Sequence, residues 1–230
     1  MNKIVLLFVF LLISVNFAFS GIDIDTVKFT EDGKGKKYHV ELSYPRIRET
    51  STESTRDFNK LISDFVDGKK AEFMKEVTAN DYDDERPFEF YVNFDVGYTN
   101  KYFVSVVLYT YYYMGGAHGS TIGYSFNYDL DNNKNLKLSD LFEGNYLNII
   151  SEYCIKEIMK DDEYADETWV KEGAGPKAEN FETFTLNNKG LIIHFQQYQV
   201  LPYAAGMPDV IVPRSELKNV VKKDGLLKRK

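Results

Sequence analysis

The chain carries three histidines, one cysteine and a surplus of carboxylates, and their spacing decides which chemistry is open to it. His39, His118 and His194 are far apart, and none belongs to a His-Glu-x-x-His helix or a Cys/His ligand set, so no local zinc site is encoded. His39 falls on the polar side of an alternating segment and is expected at the surface. His194 sits opposite the apolar Leu191, Ile193 and Phe195, which favours a hydrogen-bonded histidine within a sheet over a general base. His118 is different. It follows Met114-Gly115-Gly116-Ala117, a turn whose glycines permit positive φ, so main-chain amides and an imidazole can converge there. A turn histidine bonded to a neighbouring carbonyl is still favoured over a base, and no catalytic residue is assigned. Gly119-Ser120-Thr121-Ile122-Gly123 lacks the spacing of a nucleophile elbow, and there is no P-loop or dinucleotide-binding glycine pattern. Asp81, Asp83, Asp84 and Glu85 lack calcium-loop spacing and read as a solvated loop. No metal or cofactor is expected. The run Tyr109-Thr110-Tyr111-Tyr112-Tyr113 is the sharper signal. Alternate tyrosines emerge on both faces of a strand, and beside adaptable glycines they suit either core packing or a protein or saccharide contact surface.

The elements that must position these residues are written in the periodicity. Tyr38, Val40, Leu42 and Tyr44 alternate with polar residues, as do Phe88, Phe90, Val92, Phe94 and Val96, and again Ile122, Tyr124, Phe126, Tyr128 and Leu130. Each predicts a strand with one buried and one wet face. The run Tyr102 to Tyr113 is apolar on both faces and should be central in its sheet. Leu186-Asn187-Asn188-Lys189-Gly190-Leu191 predicts a second hairpin, feeding a strand from Leu191 to Val200. Phe58, Leu61, Ile62, Phe65, Val66, Phe73 and Val77 follow helical spacing over residues 54–78, with Gly68 marking a kink or break. A second helix is predicted over residues 145–160 with Asn145 as N-cap, a short one around Trp169, and a third beginning near Ser215. Without βαβ regularity this is an α+β fold: antiparallel sheets with two main helices, in two coupled sub-regions.

At 230 residues with 43% hydrophobic content the chain can bury a core, and its 15% aromatic share suits pleated, half-buried surfaces. The net charge of −7 argues against a nucleic-acid partner. Met1-Asn2-Lys3, the apolar run Ile4 to Ile13 and Ala18-Phe19-Ser20 read as a signal peptide over residues 1–20, too short in its apolar core to span a bilayer. An uncleaved anchor is the alternative. No stable membrane span is expected after cleavage, and the protein is expected to be secreted or periplasmic. In such an oxidising compartment a lone Cys154, on the stripe Leu147, Ile150, Cys154 and Ile158, reads as a buried apolar thiol. The expected division is residues 21–100, residues 101–222 and a solvated basic tail over 223–230.

The motif set, taken in order, resembles a known family. Tyr109 to Gly119 carries a Gly-Gly-Ala-His-Gly motif, and Leu138-Ser139-Asp140-Leu141-Phe142 a Leu-x-Asp-Leu-Phe element. Phe195-Gln196-Gln197-Tyr198, Pro202-Tyr203-Ala204-Ala205-Gly206 and Val210-Ile211-Val212-Pro213 complete the pattern. Together they resemble the PdaC/RsiV-type extracellular module, which occurs in lysozyme-sensing anti-sigma-V factors and beside the catalytic domain of peptidoglycan N-deacetylases. The resemblance covers residues 27–221 and implies an α+β fold in two sub-regions meeting near Asn100. Neither parent activity is expected to transfer, since both need segments this sequence does not show.

The resulting expectation is a non-catalytic envelope module that recognises a lysozyme-like muramidase or peptidoglycan glycan. The alternatives are a hydrolase using His118 and an accessory subunit of another envelope protein. The expected binding surface comprises Tyr111, Tyr113, Gly115, Gly116, His118, Gln196, Tyr198 and Tyr203.

Overall fold

The computed structural model describes residues 22–34, 37–80, 86–160, 163–223 and 227. The expected leader, the acidic run 81–85 and most of the basic tail therefore lie outside the described residues.

Six strands form the larger sheet, in the order of the chain. They are β1 (Ile24–Asp32), β2 (Tyr38–Ile47), β3 (Phe88–Asn100), β4 (Phe103–Tyr113), β5 (Ser120–Asp129) and β6 (Lys134–Asn135). Between β2 and β3 lies α1 (Glu53–Ala79). A helical crossover returns the chain in the same direction, so β2 and β3 pair in parallel while every other pair in this sheet is antiparallel. This β–α–β unit is the one departure from the antiparallel expectation within an α+β fold.

α1 starts where Thr52 Oγ1 accepts from the Thr55 amide at 3.2 Å, an N-cap that satisfies one of the orphan donors. Its stripe Phe58, Ile62, Val66, Phe73 and Val77 is buried against Val40, Leu42, Phe90, Val92, Val106 and Leu108 of the sheet. Phe73 stacks on Phe90 with ring centroids 5.4 Å apart. Gly68 does not break the helix, which is continuous for 27 residues.

A second layer covers the opposite face. It comprises α2 (Leu138–Leu141), α3 (Tyr146–Ile158), α4 (Glu167–Gly173), the three-stranded sheet β7 (Phe184–Leu186), β8 (Gly190–His194) and β9 (Asp209–Pro213), and α5 (Arg214–Leu217). α3 follows Asn145, which takes the N-cap position without a side-chain cap hydrogen bond, and buries Ile150, Cys154 and Ile158. Burial, then the nearby Glu157 carboxylate, pushes the Cys154 thiol up to about 12, so it behaves as an inert apolar group. α4 contains Trp169, whose backbone N–H donates to Asp166 Oδ1 at 2.9 Å.

The two layers are joined by a small polar chain. Ser105 Oγ donates to Asn127 Oδ1 at 2.7 Å and accepts from the Leu186 amide at 2.9 Å, while Asn127 Nδ2 donates to the Phe184 carbonyl at 2.8 Å. All of it is buried, so each group depends on its partner. β4 is thereby sealed on both faces from Phe103 to Leu108, as its sequence requires.

The strand expected over residues 191–200 ends early, at His194. Phe195 donates its amide to Pro208, and Gln199 donates to the Gln196 carbonyl at 3.1 Å, closing a turn with Tyr198 at φ +62°. Alternation persists in the sequence there, but the backbone bonds are made to the turn instead of a ladder.

Candidate binding surface

The glycine turn after β4 and the turn after β8 meet over the start of β5. Three polar side chains explain why. Gln196 Oε1 accepts from the Gly123 amide at 2.9 Å while its Nε2 donates to the Gly123 carbonyl at 3.0 Å and to Thr183 Oγ1 at 2.9 Å. Gln197 Oε1 accepts from the Thr121 amide at 2.9 Å. Thr183 Oγ1 also donates to the Gly123 carbonyl at 3.4 Å. A carboxamide carries a donor and an acceptor side by side, so Gln196 pairs with the outer edge of β5 as a neighbouring strand would.

On this base the aromatic side chains form a row. Tyr198 tilts against Tyr203 at 5.8 Å between centroids, and Tyr203 stacks on His118 at 4.1 Å with planes 27° apart. Tyr203 Oη donates to the Gly119 carbonyl at 3.3 Å. Gly119 in turn lies against the Tyr111 ring, so closely that an added Cβ would overlap it. Tyr111 stacks on Tyr91 at 5.5 Å, and Tyr91 meets His39 at 5.7 Å. The order is therefore His39, Tyr91, Tyr111, then across Gly119 to His118, Tyr203 and Tyr198.

The expected site residues divide by role. Tyr198 is 51% exposed and presents its ring to solvent. His118 is exposed, and Tyr111 and Tyr203 are half-buried. Tyr113 is only 3% exposed, and its hydroxyl donates to the Gly116 carbonyl at 3.0 Å, so it shapes the turn from below. Gly115 and Gly116 take φ +92° and +89°, a conformation that favours glycine. Gln196 supports the surface through its bonds to β5.

Arg86, Tyr91, Gln197 and Trp169 belong to the same surface and were not singled out by sequence reasoning. The Arg86 guanidinium lies 3.8 Å from the Tyr113 ring centroid, and its Nη2 bonds Glu89 at 2.7 Å and donates to Tyr111 Oη at 3.4 Å. The Glu89 bond raises the affinity of Arg86 for its proton further, fixing its charge. Trp169 Nε1 donates to the Tyr198 carbonyl at 3.0 Å and so holds the left-handed turn. The alternation signal could have found Tyr91, and Gln197 lies inside the Phe195-Gln196-Gln197-Tyr198 motif; nothing in the sequence pattern marks Arg86 or Trp169.

His118 Nδ1 lies 2.9 Å from the Gly119 carbonyl, a contact that requires the nitrogen to donate. Its ring face is covered by Tyr203, and no carboxylate stands among its described partners. His194 has the opposite surroundings. Its Nδ1 meets Asp209 Oδ1 at 2.7 Å and the Tyr109 hydroxyl at 3.3 Å, and its Nε2 meets Thr185 Oγ1 at 2.8 Å. This has the order of a catalytic triad, yet Thr185 is 1% exposed, so its hydroxyl has no route to a substrate. Burial, followed by the charges of Asp209 and Asp95, pushes the Tyr109 phenol above its ordinary range.

Comparison with solved structures defines the class first. The fold matches a DUF3298 family protein from Pseudomonas aeruginosa PAO1 with TM-score 0.66 at 16% identity, covering 88% of this chain and 95% of that one. A DUF3298 member from Bacteroides fragilis matches with TM-score 0.65 at 15% identity, covering 89% and 96%. The sequence is more specific. Residues 31–121 match the family described as Deacetylase PdaC, and residues 139–215 that described as Protein of unknown function (DUF3298). The chain belongs with these families, carrying the first region ahead of the second. It is also 30% identical over 202 residues to the peptidoglycan-N-acetylmuramic acid deacetylase PdaC of Bacillus subtilis, covering 85% of this chain and 42% of that protein's length.

Proposed function

We propose that this chain is an exported, non-catalytic binding module of the cell envelope that recognises peptidoglycan glycan along its aromatic row. The observation that carries this reading is the continuity of exposed and half-exposed rings from His39 to Tyr198. Flat faces of this kind stack on the apolar faces of sugar rings, while an amide such as that of Gln197 is suited to a hydroxyl. Tyr198 adds support, since a tyrosine held at φ +62° by Trp169 and the Gln196 turn keeps its ring outward at a cost in backbone strain. The row also draws His39, Tyr91, Tyr111 and His118 from residues 31–121 and Tyr198 and Tyr203 from residues 139–215, so the two family regions would act as one surface. The kinship with a deacetylase of peptidoglycan is consistent with a wall ligand. Among the described residues His118 meets a main-chain carbonyl and no carboxylate, and Tyr203 covers one face of its ring, which supports recognition over hydrolysis.

A second reading has a separate motivation. The net charge of −7 would steer association with a cationic lysozyme-like muramidase. Co-sedimentation with purified peptidoglycan sacculi, beside a pull-down on a cationic lysozyme, tests both. Retention on sacculi should fall about tenfold in the Tyr198→Ala/Tyr203→Ala variant, the loss of two stacking contacts of roughly 0.5–1.5 kcal/mol each. Folded protein retained on neither material would overturn both readings.

A further inference from the structure

A second site lies away from the aromatic row. Where the β3–β4 turn meets the β7–β8 hairpin and α5, the two layers leave a cavity of about 420 Å³. The larger part of its walls is apolar, with Tyr98, Phe103, Phe142, Leu191, Leu217 and Val221 among the lining side chains. The mouth is charged on one side only. Arg214 and Lys218 stand one turn apart on the same face at α5 and its end, both exposed, and neither is ion-paired among the described residues. None of the described lining residues is acidic, in a chain with 35 Asp and Glu against 28 Lys and Arg. Asn100 and Asn187 add polar groups at the rim, although Asn187 Oδ1 is already engaged by the Lys189 and Gly190 amides.

A mainly apolar interior of this size, with two cations at its opening that are unpaired among the described residues, defines a ligand by its chemistry. We propose that the cavity binds a medium-chain amphiphilic anion, with its hydrocarbon body between the two layers and its carboxylate held by Arg214 and Lys218. Leu217 projects inward from the helical turn whose flanking residues supply the charges, so one short element reads both ends of the ligand. Gly190 lies in the wall with the Val212 carbonyl so close that any side chain there would overlap it. This assignment is independent of the proposed glycan surface.

Isothermal titration calorimetry on the full chain, with decanoate as the probe, tests it. Acetate supplies the head without the tail, and decyltrimethylammonium supplies the tail with the opposite charge. Decanoate should bind at least about tenfold more tightly than either control, because tail burial and charge-assisted bonds both contribute. The Arg214→Glu/Lys218→Glu variant changes only exposed side chains and should weaken decanoate about tenfold or more while leaving the circular dichroism spectrum unchanged. Val221→Trp, which fills the cavity, should abolish binding in a protein that still melts cooperatively. Absence of decanoate binding, equal binding of decanoate and decyltrimethylammonium, or indifference to the charge reversal would each overturn the proposal.

Discussion

His118 and His194 stand in two regions built from the same materials, histidine, tyrosine and a hairpin turn, yet the regions differ in every physical respect. Around His194 the ring is 6% exposed and each nitrogen has a side-chain partner, Asp209 on one side and Thr185 on the other. Around His118 the ring is exposed, bonds a single main-chain carbonyl and offers its stacked neighbours to solvent. A buried polar group pays desolvation and must be fully satisfied, so the first region ties β7, β8 and β9 together. An exposed row pays little and remains open to a ligand. The triad-like order of atoms at His194 is therefore a structural device, and the proposed recognition surface falls in the plainer surroundings of His118.

The contrast can be broken most severely at His194. His194→Ala leaves Asp209, Thr185 and Tyr109 without their shared partner and should cost about 2–4 kcal/mol in urea denaturation. His118→Ala should stay within about 1 kcal/mol of the parent. Equal losses at the two positions would contradict the distinction.

Tyr198→Gly sharpens it by moving stability and binding in opposite directions. Glycine removes the left-handed penalty, so the variant should gain about 1 kcal/mol in thermal or urea unfolding while its retention on sacculi falls. A loss of both would show that the Tyr198 ring is structural.

Cys154 reports on the sealed interior. Its folded proton affinity is raised by burial and then by Glu157, so its stabilising contribution is complete below the ordinary thiol range and is lost as pH rises toward about 12. In native protein at pH 8 it should resist a thiol-specific disulfide reagent and react fully after unfolding. Rapid native labelling would mean the second layer opens readily.

The smallest effect is expected at Asp140. Burial raises its proton affinity, but the Lys134 ammonium at 2.6 Å and the Lys137 amide at 2.8 Å outweigh it, and the net shift is downward. Such a carboxylate stabilises the fold above its unfolded value, and the contribution is lost as pH falls through the folded one. Asp140→Asn should flatten the acid limb of the stability profile by no more than about 1 kcal/mol, because the pair is partly solvent-screened.

The sequence made the larger elements legible where one physical signal dominated. The apolar stripe of α1, the two-sided burial of β4 and the alternation of β3 and β5 follow directly from which residues must leave water. β1 carries no such signal: as an edge strand it is mostly half-exposed or exposed, so burial writes no period into it. β7 is three residues long and held by Ser105 and Asn127, which come from elsewhere in the chain. The parallel pairing of β2 with β3 depends on how α1 packs, which is a tertiary choice. At the site, the glycine turn and the tyrosines were visible in the residues themselves. Their meeting with Gln196, Tyr198 and Tyr203 rests on side-chain amides reading the edge of β5, a contact across some seventy residues that no local pattern encodes. Arg86 and Trp169 were missed for the same reason.

On the proposed function, the aromatic row recognises glycan without reacting with it. Titrating isotope-labelled protein with soluble peptidoglycan fragments, while following amide resonances and the fragments together, tests it most directly. Saturable shifts concentrated at Tyr91, Tyr111, His118, Tyr198 and Tyr203 are expected, with the fragments recovered intact. Shifts elsewhere, or fragment turnover that stops in the His118→Ala variant, would contradict it.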